Sequence, residues 1–176
     1  MTFRRGRFLA VLILLLAAPF PAKLHAGTGI GVEGGAALPL YNGNGLPIMV
    51  GATFKSDKLP LIMGARLQIT DGQLSGGGAF ADVWLADLQI GHSVFNFYCG
   101  PGATILFLNE MESEDHPQST GLFVAPRLFA GLDTMLAPVV EAYAQMTVEP
   151  GVVFDKKDGF IFRVSLPVTL GVRFWF

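Results

Sequence analysis

The sequence predicts an all-β fold, a closed antiparallel up-and-down barrel of eight strands that crosses a membrane. Three observations carry this. Over residues 160–176 apolar side chains hold every second position: Phe160, Phe162, Val164, Leu166, Val168, Leu170, Val172, Phe174 and Phe176 oppose Ile161, Arg163, Ser165, Pro167, Thr169, Gly171, Arg173 and Trp175. That is period 2, the repeat of a β-strand, and the run is far longer than the ~5 to 6 residues usual in soluble sheets, while a tilted membrane-crossing strand needs roughly 9 to 11. The second observation is an apolar content of 51% without any apolar run of 15 residues beyond position 26, which excludes spanning helices because these need about 20. The third is that the intervening chain divides into shorter alternating segments bounded by turn residues, the pattern of a transmembrane barrel.

The elements follow in order. Residues 1–26 carry Arg4, Arg5 and Arg7, an apolar run over 8–18, then Pro19, Pro21 and Ala26. The run is too short for a spanning anchor and reads as a secretory signal peptide cut after Ala26, so the barrel domain is expected over 27–176. The first strand, 28–38, sets Ile30, Val32, Ala36 and Leu38 against Gly29, Gly31, Glu33 and Gly35. A turn at 41–45 follows its Asn-Gly-Asn-Gly run. The second strand, 47–55, ends on Lys55; the third, 61–70, opposes Leu61, Met63, Ala65, Leu67 and Ile69 to Gly64, Arg66, Gln68 and Thr70. Residues 71–78 read as a Gly-rich loop. The fourth strand is expected over 79–86 with Asp82 inside its polar set, although Phe80, Val83, Trp84 and Leu88 also fit a helical stripe. The fifth, 96–108, and sixth, 120–131, contain Pro101 and Pro126, each of which removes a ladder donor and predicts a bulge or local break. The seventh, beginning at 140, opposes Val140, Ala142, Ala144, Met146 and Val148 to Glu141, Tyr143, Gln145, Thr147 and Glu149. A turn at 155–159 leads into the eighth.

Charge separates the two faces. Glu33, Lys55, Arg66, Asp82, Arg127, Glu141, Glu149, Arg163 and Arg173 all lie opposite the apolar set, which itself carries no charge in the eight segments. A soluble barrel of the lipocalin kind would turn the charged face to water, but about one charge per strand among Gly, Ala, Thr and aromatics is too little polar surface. The inverted arrangement fits better: an apolar exterior against lipid and a narrow lumen in which the nine charged residues pair, with glycines making room for the larger side chains. A lumen so filled implies a structural plug; a gated passage is the competing reading, since rings of charged side chains select ions.

Other chemistry is sparse. Loss of residues 1–26 removes four of 12 basic side chains, leaving 8 against 14 acidic ones and a net charge of about −6, which argues against nucleic acid as a partner. Cys99 is the only cysteine, so there is no disulfide framework, and it reads as a small apolar residue on the lipid side. No metal-ligand spacing, phosphate loop or cofactor motif is present. Glu110, Glu112, Glu114 and Asp115, followed by His116, form an acidic segment in the longest connection. Parity of strand crossings puts it on the outer surface as a solvated loop, with weak cation binding or adhesion as the alternative.

A last strand with Val168, Leu170, Val172, Phe174 and Phe176 on one face, ending on an aromatic, resembles the assembly signal of bacterial outer-membrane barrels. The whole chain resembles the small eight-stranded barrels of that membrane, the OmpA-like, OmpX-like and OmpW-like proteins. The resemblance implies an integral, monomeric outer-membrane protein that meets outer-membrane lipid and the barrel insertion machinery. Its expected role is structural or surface-interactive, with a narrow channel or a lateral-opening conduit for a small apolar molecule as the alternative, and a soluble exported ligand-binding barrel as the third reading. His92, Ser93 and Asn96 faintly resemble the His and Ser spacing of small outer-membrane lipid A deacylases. Strand parity places them at the periplasmic end, the wrong end for that chemistry, so no enzyme is expected.

Overall fold

The computed structural model describes residues 27–39, 46–90, 94–110, 119–155 and 159–176. The expected signal segment, the turn at 41–45, His92 and Ser93, and Glu112, Glu114, Asp115 and His116 of the acidic segment lie outside these residues. Among the described residues nine strands run in chain order: β1 Thr28–Pro39, β2 Ile48–Ser56, β3 Leu61–Thr70, β4 Gln73–Val83, β5 Ala86–Gln89, β6 Phe95–Glu110, β7 Ser119–Ala137, β8 Val140–Asp155 and β9 Gly159–Trp175. β1 to β4 and β5 to β9 pair antiparallel with their neighbours in sequence, and β4 pairs with β6 beside β5. β1 closes on β9, from Gly29↔Trp175 to Pro39↔Ser165, and β4 closes on β6, from Gly76↔Leu108 to Asp82↔Gly102, which joins the sheet's two ends as a barrel does. β4 and β5 are two pieces of one stave, which makes the architecture the expected closed eight-stranded barrel.

The fourth stave departs from the expected boundaries. Residues 73–78 are strand and not loop: the reversal is a two-residue turn at Asp71 and Gly72, with φ of 52° and 78°, the left-handed pair that an Asp-Gly hairpin turn requires. Gly76–Gly78 lie in the ladder with β6, and at Gly76 and Gly78 that strand comes too close for a side chain, a β-carbon at Gly78 colliding with the Ile105 carbonyl. The stave then breaks at Trp84 and Leu85. Asp82 pairs with Gly102 and Ala86 with Cys99, so β4 and β5 carry one residue more than β6 across this stretch, a bulge opposite Pro101 and Gly100.

The two expected proline breaks fall on one side of their strands only. The β6–β7 ladder runs unbroken through Pro101↔Leu128 and Ala103↔Pro126. The missing donors act on the other neighbours: between Val124↔Val152 and Leu128↔Val148 no β7–β8 pair forms, and there Pro126 falls opposite Pro150. Between Met146↔Val168 and Glu149↔Ser165 the β8–β9 ladder is likewise interrupted, at Pro167. β6 starts at Phe95, one residue before the expected Asn96, and runs on to Glu110, and β7 continues past its expected end at 131 to Ala137.

The barrel is built inside out relative to a soluble protein. Val32, Phe107, Leu128 and Leu170 are 64–66% exposed on the exterior, whereas Asp82, Glu149 and Arg173 are fully buried in the lumen. Ionised groups are almost never so buried without partners, and an exterior this apolar is the surface that lipid covers.

Candidate functional site: the lumen

Alternation along every stave sends one set of side chains inward, and register then decides which of them meet. The bulkiest inward groups face glycines: Tyr98 pairs with Gly131, Tyr143 with Gly171, Phe80 with Gly64, Arg173 with Gly31 and Arg66 with Gly51. A β-carbon at Gly171 or Gly131 would collide with the tyrosine ring across the ladder. The glycines thus leave bare backbone where the large groups stand, as an eight-stranded interior only just wide enough for side chains requires.

At the end of the barrel that holds the termini, Lys55 donates to Asp133 Oδ2 at 3.1 Å and Glu141 Oε1 at 3.4 Å. Arg173 Nη1 meets the same Glu141 oxygen at 2.6 Å, and Trp175 Nε1 donates to its other oxygen at 2.7 Å. Asn96 Nδ2 holds the second oxygen of Asp133 at 3.0 Å, and the Arg173 guanidinium stacks 3.6 Å from the Tyr143 ring centre. Midway along the lumen, Arg66 Nη2 grips both oxygens of Glu149 at 2.7 and 2.8 Å. Arg127 lies between Asp82 at 3.1 Å and Glu149 at 3.4 Å, over the Phe80 ring at 4.1 Å. The Arg127 to Asp82 contact is electrostatic: neither Arg127 Nε nor Asp82 Oδ1 makes a well-formed hydrogen bond. Gln145 Nε2 reaches Asp82 Oδ2 at 3.3 Å, and Tyr98 OH donates to Gln145 Oε1 at 3.2 Å, which ties the two charged layers together.

The loop end is different. Leu106, Leu108, Phe123, Ala125 and Val153 form an apolar cluster, and above it a cavity of about 20 Å³, the volume of roughly one water, is lined by Ala37, Gln68, Arg163 and Ser165 among others.

Of the nine charged residues expected in the lumen, Lys55, Arg66, Asp82, Arg127, Glu141, Glu149 and Arg173 are brought into these two ion-pair layers. Glu33 is half-buried and accepts a hydrogen bond from Tyr143 OH at 2.9 Å. Arg163 stands apart at the loop-end cavity, with no ion pair among the described residues. Asp133 completes the terminal-end layer and escaped the sequence reading because its strand was ended two residues early. The parity that marks Arg127 as inward also marks Asp133. Val168, Leu170, Phe174 and Phe176 of the last strand are exposed on the exterior and Val172 is half-buried. Of the acidic segment only Glu110, the last residue of β6, is described. Among the described residues no group of His, Cys, Asp and Glu is placed to hold a metal ion.

No protein-family model and no curated protein matches the chain. Solved structures do. The N-terminal β-barrel domain of Pseudomonas aeruginosa OprF aligns with a TM-score of 0.52 at 14% identity, over 84% of this chain and 97% of that one. Neisserial surface protein A aligns with a TM-score of 0.54 at 16% identity, over 85% of this chain and 96% of that one. The chain has the fold of the small outer-membrane barrels. At these identities the likeness speaks for the fold, and side-chain chemistry has to be argued from the chain itself.

Proposed function

We propose that the protein is an integral outer-membrane barrel with a structural or surface-interaction role, and not an open pore. The observation that carries this reading is the lumen, closed by two stacked layers of ion pairs and by aromatic rings laid across glycines. With ion pairs and rings occupying the middle of the lumen, the lipid-facing exterior and the connecting segments are the broadest surfaces offered to partners, among them the acidic run from Glu110 to Asp115. Outer-membrane lipid and the barrel insertion machinery are the expected partners, and the closed ladder suits a monomer. Planar-bilayer recording tests it: wild type should pass no sustained current, and Arg66→Ala with Glu149→Ala, which empties the middle layer, should. Stable ion-selective steps from wild type would overturn the reading in favour of a channel.

A conduit for a small apolar molecule is the second reading. It is favoured by the coincidence of the apolar loop-end cluster with the ladder gaps at Pro126, Pro150 and Pro167. Ala125 of that cluster lies in the β7–β8 gap, and Phe123 pairs with Val153 just beside it. Restoring two donors with Pro126→Thr and Pro150→Thr should then slow entry of N-phenylnaphthylamine into cells with an intact outer membrane. Entry that is unchanged, or that does not depend on the protein, removes this reading.

A further inference from the structure

The surroundings of Lys55 exceed what a salt bridge needs. Its ammonium lies 4.8 Å from the ring centre of Trp84, 5.4 Å from that of Tyr98 and 5.7 Å from that of Trp175, with the Asp133 and Glu141 carboxylates at 3.1 and 3.4 Å. Three π faces and two carboxylates around one cation are the chemistry that recognises an alkylammonium. Hard metal cations are poorly served there, since they require several oxygens in place of their water shell. The walls are also held by residues other than Lys55. Asn96 fixes Asp133, Arg173 and the Trp175 indole fix Glu141, and Gln145 fixes the Tyr98 hydroxyl. Trp84 is set by the bulge between β4 and β5, its backbone N–H donating to the Pro60 carbonyl at 3.1 Å. The box is thus preorganised, and it should persist if the lysine leaves. Trp84, Trp175 and Asn96 are all partly exposed at the mouth, so the box lies one layer below solvent.

We propose that this box is a binding site for small primary alkylammonium compounds at the terminal end of the lumen, occupied at rest by the chain's own Lys55. The tethered ammonium acts as a competing ligand at an effective concentration in the millimolar range or above. Wild type therefore binds a free amine weakly, and freeing the box exposes the full affinity. The proposal stands on the geometry of the box and is independent of whether the barrel conducts.

The chain has two tryptophans, Trp84 and Trp175, and both wall the box, so intrinsic fluorescence reads it without a label. The full barrel, refolded as wild type, Lys55→Ala and Lys55→Met, is titrated with n-butylammonium chloride against sodium chloride at equal ionic strength. Lys55→Ala should give a saturable change that sodium does not give, wild type should need at least about tenfold more amine, and Lys55→Met, which refills the box with an uncharged stem, should not respond. A Lys55→Ala titration that superimposes on sodium chloride overturns the proposal, as do wild type or Lys55→Met titrating like Lys55→Ala, which would place the binding elsewhere. If Lys55→Ala does not refold, as judged by its heat-dependent mobility on gels, butylammonium during refolding should restore the folded band and sodium chloride should not. Failure of that rescue also counts against the proposal.

Discussion

Glu149 is the carboxylate on which the middle of the lumen depends, because it is fully buried and takes both Arg66 and Arg127. Removing one partner of a buried ion pair leaves an uncompensated charge that costs several times what the pair itself contributes. Glu149→Gln should therefore destabilise the refolded barrel by about 3 to 5 kcal/mol in urea unfolding, while Arg66→Met combined with Glu149→Leu should cost clearly less. The glycine contacts give a second expectation at the same scale. Gly171→Val drives a side chain into the Tyr143 ring and should cost about 1 to 3 kcal/mol. Adding Tyr143→Ala should recover part of this, and the double-mutant cycle should show coupling of at least about 0.5 kcal/mol. Which residues point inward was legible from alternation alone. Which of them touch was not: Lys55 and Asp133 are 78 positions apart, and only the register of the intervening staves brings them together.

At the scale of the strand, the two faces predict opposite responses to charge. Met146 and Val168 are cross-strand neighbours on the exterior, so Met146→Arg or Val168→Arg should each destabilise by roughly 2 to 4 kcal/mol if they lie near the bilayer midplane, and less nearer an interface. A comparable loss from both in detergent-free lipid, measured by urea unfolding, checks this; a neutral result for both would mean that the exterior does not meet hydrocarbon. The strands with clean alternation, such as β3 and the start of β8, were readable with their limits. The fourth stave was not, because its inward positions are Gly76, Gly78, Phe80 and Asp82. Glycines that make room for the neighbouring strand look in sequence like glycines that make a loop. The short Asp-Gly turn at 71–72 was the better signal there. Likewise, prolines announce a lost donor but not which of two neighbouring strands loses the bond; at Pro101 it is β4 with β5, and at Pro126 it is β8.

For the molecule as a whole, the central claim is that an apolar exterior and an ion-paired interior make this barrel a lipid-embedded one. β1 pairs with β9 and β4 with β6 to close the barrel, and Leu128, Leu170 and Phe107 are all exposed on its exterior. That claim is tested most directly by spin labels placed singly at Leu128→Cys, Leu170→Cys and Phe107→Cys in a Cys99→Ser background, with the barrel reconstituted in phospholipid vesicles. Apolar oxygen and a water-soluble nickel complex then compete to relax each label. The account predicts that oxygen dominates at all three sites. Dominance of the nickel complex at these positions would put them in water and contradict it.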